Sequence, residues 1–167
     1  MSLDLQIDTT ELEALARRYA NAEPFIENEM RKAMQQSVDV VEGQVKGRTP
    51  VNTGQLRNSI ATQVKGNMLN MQGLIMSPLA YAIVMEEGRT PGAKQPPTGP
   101  IELWVIRKGI ATAGTESRQA AYVIARSIGR KGIKGLFMFR EGLKASTATI
   151  NQIWLKMSQR VARELDK

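Results

Sequence analysis

The chain has 167 residues, 42% of them hydrophobic, and a net charge of +7. That length fits one domain spanning residues 1–167, and its apolar residues recur with helical spacing, which excludes a disordered chain. Cysteine and histidine are both absent, so disulfide frameworks, zinc hydrolases, Ser-His-Asp triads and Cys-His dyads are excluded. No apolar run approaches the roughly 18–20 residues that span a bilayer, so we expect no membrane contact.

Charge is distributed unevenly along the chain. Residues 1–46 contain nine acidic and five basic side chains, a net of −4, whereas residues 47–167 contain seven acidic and eighteen basic ones, a net of +11. Such asymmetry indicates a nucleic-acid surface or oppositely charged faces that meet between copies of the chain. The remaining alternative is a basic surface that is merely solvated.

A long amphipathic helix is predicted on the N-terminal side. Asp8 and Glu11 have the spacing of a capping box that opens a short first helix. Pro24 is expected to restart the pattern as the first turn of a second, longer helix. The apolar stripe of that helix runs over residues 26–45, and it ends before Pro50.

The rest of the chain predicts a hairpin followed by helices with glycine- and proline-rich breaks. Residues 59–65 and 68–77 are compatible with two antiparallel strands. Residues 88–100 contain four prolines and three glycines and are predicted to be an exposed loop. Helices are predicted at 79–87, 100–108, 115–128 and from 142 onward, with inner residues that include Ala120, Ala121, Ile124 and Ile128 on the third and Leu143 and Trp154 on the last. The predicted fold class is therefore α+β, with a long N-terminal helix and C-terminal helices packed on a small antiparallel β-sheet.

Several motifs occur in the order of a known protein family. Residues 49–60 resemble the signature P-V-x-T-G-x-L-R-x-S-I, and residues 81–88 resemble the motif Y-A … E-x-G. Residues 124–139 resemble I-A-R-x-I … K-G … F-x-F. Together with the long helix before them, these motifs resemble the tail-component, or tail-completion, family of long-tailed bacteriophages, which is typified by the gene-10 product of a lambdoid phage. The resemblance covers roughly residues 8–165, although residues 101–114 are longer than in the most compact relatives.

The resemblance implies a structural virion protein without enzymatic activity or cofactor. Such a protein would be assembled in the host cytoplasm and located at the head–tail junction (the neck) or the tail end, where it completes or terminates the tail and helps join it to the head. It would act as a homo-oligomeric ring, with hexameric symmetry matching the tail. Its other partners would be the neighbouring head-connector and tail proteins.

The signature has a clear structural interpretation. Its key residues are Pro50, Thr53, Gly54, Leu56 and Ser59. Thr53 can cap the following turn, Gly54 permits a positive φ, and Leu56 is spaced together with Ile60 to enter the core. We interpret the signature as a helix-to-strand connection that fixes the hairpin against the long helix, and a direct contact role is the alternative.

A basic segment and a loop are the candidate contact sites. The basic segment comprises Arg118, Arg126, Arg130, Lys131, Lys134, Arg140 and Lys144, with only Glu141 against it. In a ring it could line the DNA channel, touching packaged DNA without reading sequence, or it could clasp the acidic N-terminal helix of a neighbour; a solvated face is the third interpretation. The loop at 88–100, with Arg89 and Lys94, is predicted to be a docking arm, with disorder of the free protein as the alternative.

Two other functional classes are alternatives to a structural role. The adjacent carboxylates Glu86 and Glu87 could do acid–base or metal chemistry, but no third ligand or base stands nearby in the sequence, so we predict that the protein is not an enzyme. A general basic DNA-binding protein is the stronger alternative, although no helix-turn-helix, zinc module or RNA-binding aromatic motif is present. Only the structural interpretation accounts for the ordered motifs.

Overall fold

A computed structural model describes the backbone of residues 10–166 and the side chains of residues 22–166. Within these residues the fold consists of six α-helices and two antiparallel sheets of two strands each. The elements are α1 Thr10–Arg48, α2 Gln55–Ser59, β1 Ala61–Lys65, β2 Gln72–Met76, α3 Ala82–Glu87, β3 Gly88–Arg89, α4 Thr98–Arg107, α5 Thr115–Lys131, β4 Ile133–Lys134 and α6 Met138–Leu165. The α+β class, the long N-terminal helix and the long C-terminal helix are confirmed.

Helix α1 is longer than the sequence pattern predicted. It continues through Pro24 as one helix of 39 residues, so the predicted restart at this proline is wrong. Proline removes only one backbone hydrogen bond, and the apolar stripe beyond it, including the buried Val38, Val41 and Val45, supplies packing that outweighs the local cost. The predicted capping box at Asp8 lies outside the described residues.

The described chain divides into two compact units. The first contains α1 up to Gln44, the hairpin Ala61–Met76, and α6 from Leu143 onward; the second contains Val45–Ile60 and Ser77–Gly142. Whether residues 1–167 act as a single domain remains a prediction.

The first unit packs the hairpin and the C-terminal helix on α1. Strands β1 and β2 pair antiparallel from Ala61 opposite Met76 to Lys65 opposite Gln72, which confirms the predicted hairpin with shorter strands and a longer connection. Gly73 faces α1 so closely that an added Cβ would lie 2.8 Å from the sulfur of Met34. The absence of a side chain at this position lets the strand approach the helix.

The second unit is built around the pair α4 and α5. Its buried side chains include Leu56, Ile60, Val105 and Met138. On α5 the buried line is Ser117, Ala121, Ala125 and Gly129, whereas the predicted Ala120, Ile124 and Ile128 are only half-buried. Small residues at intervals of four let this helix pack closely. The prediction, which was based on apolar character alone, placed the buried face of α5 about one residue away from its position in the structure.

Two further predictions are corrected by the structure. The segment 88–100 is not a continuous loop, because Gly88–Arg89 pair with Ile133–Lys134 and residues 98–100 open α4. Helix α6 begins at Met138 rather than at Gly142, and Leu143 is 53% exposed rather than on the inner side. Both errors have one cause: backbone partners distant in the sequence order glycine-rich segments that local composition marks as irregular.

Candidate assembly site

The signature forms a tight turn that enters a short helix. Gly54 has a left-handed backbone with φ of 78°, and the Thr53 hydroxyl accepts a hydrogen bond from the N–H of Gln55 at 3.2 Å. Leu56 is 4% exposed and Ile60 is 2% exposed, as predicted from their spacing. The signature therefore anchors helix α2 through its apolar residues, while Pro50 remains exposed.

Ser59, the next-to-last residue of the signature, is hydrogen-bonded to a second hydroxyl group. Its hydroxyl donates to the carbonyl of Leu56 at 2.7 Å and lies 2.7 Å from the hydroxyl of Ser77. The oxygen of Ser77 in turn accepts from the N–H of Leu79 at 3.3 Å. These bonds tie the end of the signature to the segment that leads into α3.

Thr49 connects the signature to the beginning of α6. Its hydroxyl donates to the carbonyl of Val45 at 2.8 Å and lies 3.4 Å from the sulfur of Met138. Thr49 is 4% exposed and Met138 is fully buried. The central residue of the Phe137-Met138-Phe139 motif thus packs against the residue that precedes the signature.

Glu86 connects the second motif to the third. Its two carboxylate oxygens accept hydrogen bonds from the backbone N–H groups of Phe139 at 2.9 Å and Arg140 at 3.0 Å. The backbone adds two bonds, from the N–H of Leu136 to the carbonyl of Met85 and from the N–H of Phe137 to the carbonyl of Glu86. Glu86 therefore satisfies free donors in the first turn of α6, a position where an anion is also favoured by the helix dipole.

Glycines of the basic segment lie against the chain's own backbone. A Cβ at Gly135 would lie 2.6 Å from the carbonyl carbon of Glu87, and one at Gly132 would lie 3.0 Å from the nitrogen of Pro91. A Cβ at Gly129 would lie 3.4 Å from the carbonyl oxygen of Ala93. The absence of side chains at these positions permits close packing of β3, β4 and the neighbouring loop.

The basic side chains lie on the surface. Arg118, Arg126, Arg130, Lys131, Lys134, Arg140 and Lys144 are all exposed. Six of them belong to the second unit, and Lys144 belongs to the first. Arg118 lies 3.8 Å from Glu102, and the guanidinium of Arg140 stacks over the ring of Phe137 at 4.6 Å. All seven cations are therefore accessible to a partner, and six of them belong to the same compact unit.

The predicted docking loop is anchored by several hydrogen bonds. The guanidinium of Arg89 donates to the carbonyl of Lys94, and the N–H of Gly92 donates to the carbonyl of Gly129 at 2.9 Å. Arg89 is half-buried and also belongs to strand β3, whereas Lys94 is exposed. Of the two loop residues, Lys94 is the one that a partner can reach, and its docking role stays a prediction.

Large apolar side chains on α5 were missed by the sequence analysis. Tyr122 is 53% exposed and Val123 is 64% exposed, and both lie between the exposed Arg118 and Arg126. Tyr122 lies four residues from each arginine and Val123 three residues before Arg126, and both spacings were readable from the sequence. The predicted apolar stripe, by contrast, drew attention to the opposite side of α5.

The described residues contain no group of three or more carboxylates that could hold a metal ion. None of the helices in this part of the chain is long and apolar enough to cross a membrane.

Comparison with known families confirms the resemblance for the N-terminal half. Residues 13–88 match the family model described as "Bacteriophage HK97-gp10, putative tail-component". The matched region contains most of α1, the signature, the hairpin and α3 with Glu86. Neither curated proteins nor solved structures gave a match. The family match indicates a structural component of a phage tail.

Proposed function

We propose that this protein completes or terminates the tail of a long-tailed phage and helps join it to the head, acting as a homo-oligomeric ring. The observation that carries the proposal is the family match over residues 13–88, which includes the signature and the α6-capping Glu86. The protein acts by shape and charge rather than by catalysis. It is located in the virion, at the head–tail junction or the tail end.

The surface of the second unit supports an assembly role. Nine large apolar side chains there are exposed: Val51, Tyr81, Ile83, Leu103, Ile110, Tyr122, Val123, Ile133 and Leu136. Single exposed apolar residues are ordinary, but the adjacent Tyr122 and Val123 lie between exposed arginines, a combination typical of protein interfaces. The partners we propose are further copies of the chain, together with the head-connector and tail proteins on either side.

Immunogold electron microscopy of purified virions tests this function. We expect label at the head–tail junction or tail end, and a knockout lysate in which heads and tails remain unjoined or tails have aberrant length. A plasmid copy of the wild-type gene should restore joined particles, which controls for effects on neighbouring genes. Normal virions from the knockout, with no label on wild-type particles, would refute the proposal.

General DNA binding remains the second candidate because the basic residues of α5 are exposed. A DNA-binding protein should hold duplex DNA at moderate salt and lose it steeply as salt rises, because each neutralised phosphate releases counterions. Retention of duplex DNA by the purified protein near physiological salt, together with normal knockout virions, would favour this candidate.

A further inference from the structure

One exposed face of α5 combines arginines with large apolar side chains. Arg118, Tyr122, Val123, Arg126 and Arg130, here called the α5 stripe, are all exposed. Arg118, Tyr122, Arg126 and Arg130 follow one another at intervals of four, so they occupy one side of the helix over about 18 Å. The stripe lies about 100° around the helix from the buried line that begins at Ser117 and ends at Gly129, because each of its four-spaced members follows a buried residue by one position.

The charge of the α5 stripe is largely uncompensated within the described part of the chain. Arg118 is 3.8 Å from Glu102, an ion pair longer than a hydrogen bond. The carboxylate of the nearby Glu116 accepts hydrogen bonds from the hydroxyl and the N–H of Thr112, and these bonds lower the pKa of its carboxyl group. No ion pair joins Arg126 or Arg130 to any described carboxylate. Arg126 and Arg130, and to a lesser extent Arg118, can therefore bind an anionic partner.

The composition of the α5 stripe favours a protein partner over DNA. Contacts to phosphate require cations, whereas Tyr122 and Val123 present large apolar surfaces that phosphate does not satisfy. Protein interfaces are enriched in tyrosine and arginine, and these residues are frequent among those that dominate binding energy. Gly129, Gly132 and Gly135 offer no site for close approach of a phosphate, because they pack against the chain itself.

We propose that the α5 stripe binds the acidic N-terminal segment, residues 1–46, of a second copy of this chain. That segment carries a net charge of −4, and its described exposed carboxylates include Glu23 and Asp39. A contact between two different surfaces of identical chains is heterologous, and a heterologous contact generates a ring when its rotation closes. This inference rests on the proposed ring and names the surfaces that form it.

Photo-crosslinking identifies the partner of the α5 stripe directly. Tyr122 is replaced by the photoreactive residue p-benzoylphenylalanine, and this unlabelled protein is mixed with uniformly 15N-labelled wild-type chain. The control carries the same probe at Leu155, which belongs to the first unit and is 58% exposed. We expect mass spectrometry to find the peptide around residue 122 joined to a 15N peptide from residues 1–46. The proposal would be overturned if the probe crosslinked to other regions of the second copy or only within its own chain. It would also be overturned if no crosslink between copies formed in concentrated protein or in infected-cell lysate.

Reversing the charge of two stripe arginines tests the same contact through self-association of the protein. The variant R118E/R126E should self-associate at least about tenfold more weakly in sedimentation equilibrium, since like charges would then face the acidic segment. The variant K65E/K156E makes the same change in net charge at exposed positions elsewhere and should behave as wild type. Adding E23K and D39K to R118E/R126E should restore association, and failure of that rescue would count against residues 1–46 as the partner.

These experiments measure contacts of the chain and not particle formation, so their outcome is separate from that of virion microscopy. Self-association through the α5 stripe together with normal knockout virions would remove the tail function and leave the interface intact. A protein located at the neck whose α5 stripe crosslinks only to another virion protein would keep the tail function and remove this interface.

Discussion

A single carboxylate, Glu86, explains why two separate motifs occur together in this chain. The sequence presents Glu86 and Glu87 as equivalent neighbours, but only Glu86 has both oxygens bonded to the first turn of α6. Its side chain substitutes for the local cap that Phe137 and the glycines before it cannot provide. The pairing of Y-A … E-x-G with F-x-F is therefore a matter of helix capping across 53 residues of sequence.

Replacement of Glu86 tests this capping role. We expect Glu86→Ala to lower the free energy of unfolding by about 1–2 kcal/mol, since two backbone N–H groups lose their acceptors. Glu87→Ala removes the adjacent, exposed carboxylate and should have little effect. Urea unfolding followed by circular dichroism measures both variants, and equal effects at the two positions would contradict the assignment.

Glu29 is a second carboxylate with a defined structural role. Its oxygens accept from Lys32 at 2.8 Å and from Arg160 at 2.6 Å, and its side chain is only 5% exposed. The hydrogen bond from Lys32, followed by that from Arg160, holds the pKa of Glu29 below its usual value despite the opposing effect of burial. Together with the bond from Trp154 to Ser37 at 3.2 Å, this joins α6 to α1 within the first unit.

The lowered pKa of Glu29 predicts a specific acid sensitivity. A carboxylate whose pKa is lowered by folding stabilises the native state above its unfolded-state value of 4.5, and that contribution is lost as pH falls through the lower native value. Glu29→Gln should therefore be less stable than wild type at neutral pH, and the difference should shrink as pH falls below about 4.5. Thermal unfolding measured from pH 7 to pH 3 checks this, and a difference independent of pH would refute it.

At the scale of elements, glycines decide where helices can approach each other. Within the second unit, Gly142 of α6 faces Val45 of α1 so closely that an added Cβ would lie 2.6 Å from its side chain and 3.1 Å from its backbone nitrogen. Gly43, also helical, has nothing within 4 Å of an added Cβ. Close packing therefore requires a glycine at position 142, whereas no contact in the structure requires one at position 43.

Matched alanine substitutions separate these two roles. Gly142→Ala should destabilise the protein, because overpacking costs about 1–3 kcal/mol and exceeds the gain in helix propensity. Gly43→Ala should stabilise it by about 0.5–1 kcal/mol, because the helix gains propensity without a clash. Denaturation midpoints of the two variants should shift in opposite directions, and a stabilising Gly142→Ala would show that the two helices do not meet there.

At the scale of the whole molecule, charge is segregated along the sequence. A chain with −4 in residues 1–46 and +11 in the remainder can bind its own copies through unlike surfaces. Exposed apolar side chains beside the arginines of α5 would then add contact area to the charge attraction.

Salt should weaken such an assembly. Raising ionic strength from about 0.05 M to 0.5 M shortens the range of charge attraction, so self-association of the wild-type protein should fall. The R118E/R126E variant has already lost this attraction and should respond much less. Sedimentation of both proteins at the two salt concentrations measures the difference, and equal salt responses would argue against charge as the source of the contact.

Several elements were predictable because their signals are local. The apolar period of α1, the alternation and turn residues of the hairpin, and the spacing of Leu56 and Ile60 all act within a few residues of the chain. The order of the motifs was likewise visible in the sequence, and residues 13–88 match the corresponding family model. The candidate site was only partly predictable, since the arginines of α5 were recognised but Tyr122 and Val123 beside them were not.

The sequence by itself determined the helical and strand patterns, the segregation of charge and the resemblance to a phage tail-component family, since each depends on residue type and spacing alone. Only the tertiary structure decided that α1 continues through Pro24, that Gly88–Arg89 form a strand, and that Glu86 caps α6. Each of these depends on atoms far apart in the sequence, whose packing or hydrogen bonds outweigh the local preference of proline, glycine or an exposed carboxylate. Local residue preferences determine which elements form, and contacts between residues distant in the sequence determine where the elements end and what their polar groups bind.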